Sequence, residues 1–237
     1  MPPVPGAREH ARPTAAQCAR AVLRLLEREY GRPPPERRRA LDVLIGTILS
    51  QNTSDINSHR AFESLRKAFP SWRAAAEARV SAIASAIRSG GLARTKAPRI
   101  RAILHHLLRE RGKVDLEFLE RLPRNQALDY LMSLPGVGPK TASCVLLFGF
   151  GKPVLPVDTH VHRVSRRLGL VNERASPEET QAALERIVPA RNRHSFHINL
   201  IAHGRAVCRP RPRCRECVLL ALCPYGRSVL GVRRWKR

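Results

Sequence analysis

The stretch from Leu134 to Asp158, LPGVGPKTASCVLLFGFGKPVLPVD, constrains this chain more than any other. Its opening residues, Leu134-Pro135-Gly136-Val137-Gly138, separate two helix-forming segments, Asn125 to Ser133 and Pro139 to Phe148. Glycines two apart permit positive φ and close backbone approach, and the first amides of the second helix have no partner within it. The segment therefore reads as a hairpin between two helices whose exposed amides, at Gly136 and Gly138, suit a phosphate.

Lys140 follows in the first helical turn, and the next residues, Thr141 to Phe150, carry no charge. A helix N-terminus and an apolar environment both disfavour an ammonium, which gives the amine the free-base character of a Schiff-base nucleophile. A lysine whose stem packs while its head reaches solvent fits the same residues. Asp158, within Pro156-Val157-Asp158-Thr159-His160, precedes a helical run from Thr159 to Leu168. It reads as a fixed carboxylate or as a plain N-cap, and one residue can serve both roles.

The other helices are read from their periodicity. Thr14 to Tyr30 places Cys18, Val22, Leu25 and Leu26 on one face. Leu41 to Leu49 leaves hardly a polar side and reads as a buried central helix. It runs into a polar loop, Ser50-Gln51-Asn52-Thr53-Ser54, before a helix from Asp55 to Phe69. Ser71 to Ile87 forms two short helices, and Ser89-Gly90-Gly91 delivers Leu92, which reads as a loop anchor on the core. Thr95 is expected to cap a helix to Arg111 with Ile100, Ile103, Leu104 and Leu107 inward, and Lys96, Arg99, Arg101 and Arg109 outward. Ser176-Pro177-Glu178-Glu179 is a capping box with proline at the first helical position, and Phe196 to Ala206 gives one more helix. Helical periods run throughout without strand alternation, so the class is all-α.

The formal net charge is +24, from 43 Lys plus Arg against 19 Asp plus Glu. Such an excess points to a polyanionic partner, with a merely solvated basic surface as the plain alternative. No apolar run has transmembrane length, the proline-rich start MPPVPGAREHARP is no signal peptide, and residues 1–13 read as disordered. A soluble, monomeric, cytoplasmic protein is expected, with no membrane partner. Cys208, Cys214, Cys217 and Cys223, spaced C-x5-C-x2-C-x5-C, form a metal site. A single CxxC flanked by longer spacers leans towards iron and sulfur rather than structural zinc. Cys18 and Cys144 read as buried thiols, and the tail from Gly226, ending in RRWKR, as a mobile basic extension.

LPGVGPKTA, VDTHVHRV, then HGR with four cysteines, together and in that order, resemble the helix-hairpin-helix DNA glycosylases, and within them the endonuclease III group. The similarity covers residues 35 to 223. The resemblance implies a two-lobed fold: 33–152 carrying the hairpin, and 14–32 with 153–237 forming an iron–sulfur domain. It implies a bifunctional DNA glycosylase/AP lyase of base excision repair that acts on duplex DNA with a damaged base or abasic site and is nucleoid-associated in a bacterial cell. Lys140 would attack the sugar and Asp158 assist. Gln51 or Asn52 would fill the gap left by the flipped nucleotide, Leu92 would wedge between base steps, and His160 would lie near the flipped residue. The four cysteines would hold a [4Fe–4S] cluster, although five residues separate the first two where the group usually has six. Lys140 favours the lyase, and no acid stands in Ile45-Gly46-Thr47-Ile48 where adenine glycosylases carry a glutamate, so oxidised pyrimidines are the expected substrates. The alternative is a non-catalytic or monofunctional, mismatch-type DNA-binding relative.

Overall fold

The computed structural model describes residues 14–232; the expected disordered tail 1–13 and the RRWKR terminus lie outside the described residues. All regular structure among the described residues is helical. The chain divides into two compact units, one of residues 33–158 and one that joins the segments before and after it. The division thus falls at 158/159, where the sequence reading set it at 152/153.

The central unit is built on α2 (Ala40–Ser50), whose Ala40, Leu41, Val43, Leu44, Ile45, Ile48 and Leu49 are all buried. A helix apolar on every side needs neighbours on every side. They are α3 (Asp55–Ala68), α6 (Ala93–Arg111), α8 (Pro139–Cys144) and the π-helical turn Val145–Gly149 that prolongs it. Gly149 permits this approach, because a Cβ there would lie 2.9 Å from the Ala40 Cα. The expected single helix to Phe148 therefore loosens into a π turn, where the Phe148 carbonyl accepts from the Arg38 amide at 2.9 Å. Short α4 (Trp72–Glu77) and α5 (Val80–Ala86) close over α6, and Trp72 Nε1 donates to Asp42 at 2.7 Å.

Helix α6 departs from expectation at its start. It begins at Ala93, with Leu92 as N-cap in the left-handed region, so Thr95 lies inside the helix rather than capping it. Lys96, expected on the basic outer face, is 2% exposed. After α6, α7 (Arg124–Ser133) leads through the hairpin into α8.

The second unit packs α11 (Arg193–Ala206) against α1 (Ala15–Tyr30) and α9 (Thr159–Arg167), with α10 (Pro177–Ile187) alongside and α12 (Pro224–Val229) at the chain's end. The Thr14 and Ser176 capping boxes form as their sequences dictate. The inward face of α1 is Ala19, Val22, Leu23 and Leu26, so Cys18 is half-buried rather than buried. Residues expected in a mobile extension are partly helical: α12 holds Gly226 buried against the cysteines.

Candidate active site

In the hairpin, Leu134 and Val137 are buried and anchor the turn, which the Val137 amide closes by donating to the Leu134 carbonyl at 3.1 Å. Only Gly136 takes positive φ, +74°; Gly138 is extended at φ −98° and caps α8, with Pro139 at its first position. A Cβ at Gly136 would also meet the exposed Arg99 side chain at 2.9 Å, which can move aside, so it is the positive φ that favours glycine here. Beside the hairpin entry, Arg101, His105, His106, Arg109, Ser133 and Pro135 line an open recess of about 670 Å³. Its histidines were not singled out by the sequence, although they share α6 with the arginines that were.

Lys140, half-buried, lies one turn before Cys144, whose thiol it meets by a hydrogen bond. Burial pushes that thiol's pKa up, with Asp158 adding to the rise, while the positive charges of Lys140 and Arg38 oppose it. Lys140 and Asp158 thus act on one buried sulfur and belong to one neighbourhood of the central unit. Cys144 is buried, as expected, and also feels both candidate catalytic groups.

The polar loop after α2 and the turn before α6 share a property. Asn52, at φ +53°, and Leu92, at φ +51°, are the only non-glycine residues with positive φ among the described residues. Strain of this kind persists only where surrounding contacts enforce it, and it gathers at working parts of a protein. Asn52 is exposed and Leu92 is 53% exposed, an unusual position for leucine and not that of a core anchor. Gln51, half-buried, ends α2 in an extended conformation.

His160 belongs to the second unit. Its ring lies over Gly204, where a Cβ would come within 2.9 Å, and its Nδ1 is 3.0 Å from Arg163 Nη2. Arg163 also donates to the Cys208 and Gly204 carbonyls, each at 3.0 Å. Arg167, one turn later, donates to the Arg209 and Pro210 carbonyls at 2.7 and 3.0 Å and stacks on Tyr225. Arg163 and Arg167 thus brace the cysteine loop from α9.

Cys208, Cys214, Cys217 and Cys223 line one cavity with Val164, Leu168 and Leu219. The Gly226 amide donates to Cys223 Sγ at 3.3 Å and Arg167 to Cys208 Sγ at 3.4 Å, and His203 Nε2 lies 3.5 Å from Cys217 Sγ. A Cβ at Gly226 would touch Cys223 Sγ and Cys214 Sγ at 3.6 and 3.7 Å and press on Leu220 at 3.1 Å. Burial and the neighbouring sulfurs push the Cys217 thiol up to about 11 and raise Cys214 and Cys223. Four sulfurs that oppose one another's ionisation form a donor set suited to a positively charged centre. The short first spacer still closes, by a hydrogen bond from the Arg213 amide to the Val207 carbonyl at 3.1 Å.

Residues 45–190 match the HhH-GPD superfamily of base excision DNA repair proteins. Endonuclease III of Thermotoga maritima is 37% identical over 212 residues, covering 89% of this chain and 92% of that protein. Endonuclease III of Synechocystis is 35% identical, covering 79% and 82%. Among solved structures, a trapped endonuclease III–DNA covalent intermediate superposes with a TM-score of 0.78 at 31% identity, covering 91% of this chain and 98% of that one. A non-covalent endonuclease III–DNA complex gives 0.79 at 30% identity. A thermostable thymine-DNA glycosylase, 22% identical with a TM-score of 0.75, shares the fold. With the hairpin, the half-buried lysine and the cysteine loop in the places the sequence assigns them, this chain belongs to the HhH-GPD superfamily of base excision DNA repair proteins, in its endonuclease III branch.

Proposed function

We propose that this chain is a bifunctional DNA glycosylase and AP lyase that removes oxidised pyrimidines from duplex DNA. The observation that carries the reading is the meeting of Lys140 and Asp158 at the Cys144 thiol, one helical turn beyond an exposed glycine hairpin. Lys140 Nζ attacks C1′ of the flipped nucleotide as the glycosidic bond breaks, and the base leaves with the bonding pair and takes up a proton. Asp158 stabilises the cation developing on the sugar and accepts the proton that the amine releases. The C1′–O4′ bond then breaks, O4′ taking the bonding pair and a proton, to give a protonated imine that acidifies C2′; loss of a proton there expels the 3′ phosphate, and water later frees the lysine. Gly136 and Gly138 present backbone to a phosphate, Leu92 and the Gln51–Asn52 loop enter the duplex, and His160 borders the extruded nucleotide.

The four cysteines are the ligands of a [4Fe–4S] cluster. Two features support this: N–H donors directed at the sulfurs, and a single CxxC flanked by longer spacers rather than the two close pairs usual for structural zinc. When bound, the cluster supplies metal–thiolate bonds that tie the end of α11 to the C-terminal loop. The hairpin and the loops that enter the duplex then fall to residues 33–158, and cluster binding to residues 14–32 with 159–232.

Borohydride trapping on duplexes containing thymine glycol or an abasic site tests the mechanism. The wild-type protein is expected to form a covalent complex with both, and Lys140→Gln with neither while still binding DNA. Undiminished strand cleavage by Lys140→Gln would refute it. A covalent complex on the abasic duplex alone would refute the assigned lesion class and leave the lyase.

A further inference from the structure

Lys96 is a buried charge that the mechanism above does not use. It is 2% exposed, and its ammonium donates to the Leu49 carbonyl at 2.7 Å and to the Gly90 carbonyl at 2.9 Å. Leu49 lies in the last turn of α2, two residues before Gln51. Gly90 ends the short 3₁₀ turn Arg88–Gly90, two residues before Leu92. Both acceptors therefore sit at helical C-termini, where carbonyls lack intrahelical partners and a cation is favoured. The Lys96 amide also donates to the Leu92 carbonyl at 2.9 Å.

One residue thus grips the backbone of both strained loops. The turn before α6 also packs on α3, where a Cβ at Gly90 would lie 2.8 Å from the Ala61 Cβ, and it borders the other loop at Gly91, where a Cβ would lie 3.9 Å from Thr53 Oγ1. Burial lowers the Lys96 pKa, so the ammonium is kept at a cost that its carbonyl partners offset. An apolar residue would fill this core position without that cost. What a methionine cannot do is tie two loops, more than thirty residues apart in sequence, to one point.

We propose that Lys96 is a positioning residue for lesion engagement, capping both helical ends so that the Gln51–Asn52 loop and Leu92 are held at a fixed separation and enter the duplex together. This rests on the DNA glycosylase reading above. Holding the two loops in place before binding removes the ordering cost that loose loops would meet when the duplex opens.

The test compares wild type, Lys96→Met and Lys140→Gln on two abasic substrates, one duplex and one single-stranded, by borohydride trapping. Single-stranded DNA needs no wedge. Lys96→Met is expected to lower the ratio of duplex to single-strand trapping rates by about tenfold or more, the scale of a lost charged hydrogen bond. Lys140→Gln removes both reactions. Equal slowing of Lys96→Met on the two substrates, or an unchanged ratio, overturns the inference while leaving the function intact. Where Lys96→Met melts below the assay temperature, Lys96→Leu, which likewise removes the donor, is assayed below its own melting midpoint under the same criteria. Duplex opening is read separately by 2-aminopurine placed opposite the abasic site, with Lys140→Gln as the parent. Opening by the parent and not by Lys96→Met/Lys140→Gln supports the inference even if no protein forms a covalent complex, an outcome that refutes the function alone; equal opening by both overturns the inference.

Discussion

Substituting Gly149 by alanine probes the contact that sets the lysine-bearing helix against the central one. The new Cβ would lie 2.9 Å from the Ala40 Cα, 3.0 Å from its Cβ and 3.7 Å from its amide nitrogen. Ordinary carbon contacts begin near 3.5 Å, so the two segments must part by roughly half an ångström. Overpacking of that degree costs about 1–3 kcal/mol. Alanine's helix preference over glycine returns up to about 1 kcal/mol. The net loss of about 1–2 kcal/mol corresponds to a fall of roughly 2–8 °C in the melting midpoint of a protein this size. Circular dichroism at 222 nm measures it. Because α8 begins at Lys140's turn and α2 ends at the Gln51 loop, opening the contact also shifts the amine relative to that loop. Trapping on abasic duplex, well below the melt, should slow by about tenfold. The double variant Ala40→Gly/Gly149→Ala recovers only part of the stability, because the nearest clash is with backbone. A midpoint at or above wild type would refute the packing argument, and full recovery in the double variant would move the clash to the Ala40 side chain.

Asp158→Asn should slow base release by roughly 10²–10⁴-fold, the range of a general acid–base group, with DNA affinity retained in a gel-shift assay. Asp42→Ala removes the acceptor of the 2.7 Å bond from Trp72 Nε1 and should cost about 1–3 kcal/mol, read as a lower urea midpoint with a shifted tryptophan emission. Cys217→Ser should lower bound iron and the visible charge-transfer absorbance, and should destabilise the α11 end of the second unit in hydrogen exchange while amides of α2 stay protected.

The hairpin, the capping boxes and the central helix were legible because each is a local matter: a glycine pattern, a cap, or a continuous apolar run. The cysteine loop was legible from spacing. Lys96 was not, although it stands four residues before Ile100 and seven before Ile103, and so on the buried stripe of α6. A residue-type reading assigns lysine to solvent. Its partners are carbonyls at Leu49 and Gly90, which only tertiary structure brings near. The roles of Arg163 and Arg167 are hidden from sequence for the same reason, since their acceptors include backbone oxygens some forty residues further along the chain. The strain at Asn52 and Leu92 left no mark in composition, because neither residue type demands positive φ. It is imposed by what holds the loops.

The interleaved topology of the second unit has a consequence for biosynthesis. Helix α1 leaves the ribosome before the central unit, yet its partners lie on α11: Tyr30 meets His203, Glu27 accepts from Ser195, and the Gly31 carbonyl accepts from Asn199. These pairs are separated by 168 to 173 positions, with the whole central unit between them. At translation rates of about 5–20 residues per second, the apolar face of α1 waits roughly ten to thirty seconds for its complement. During that interval the central unit can finish its own core while α1 remains a nascent client for chaperones. Helix α1 is thus made before the central unit and finds its place after it, at about the time the cysteine-bearing loop follows α11 out of the ribosome.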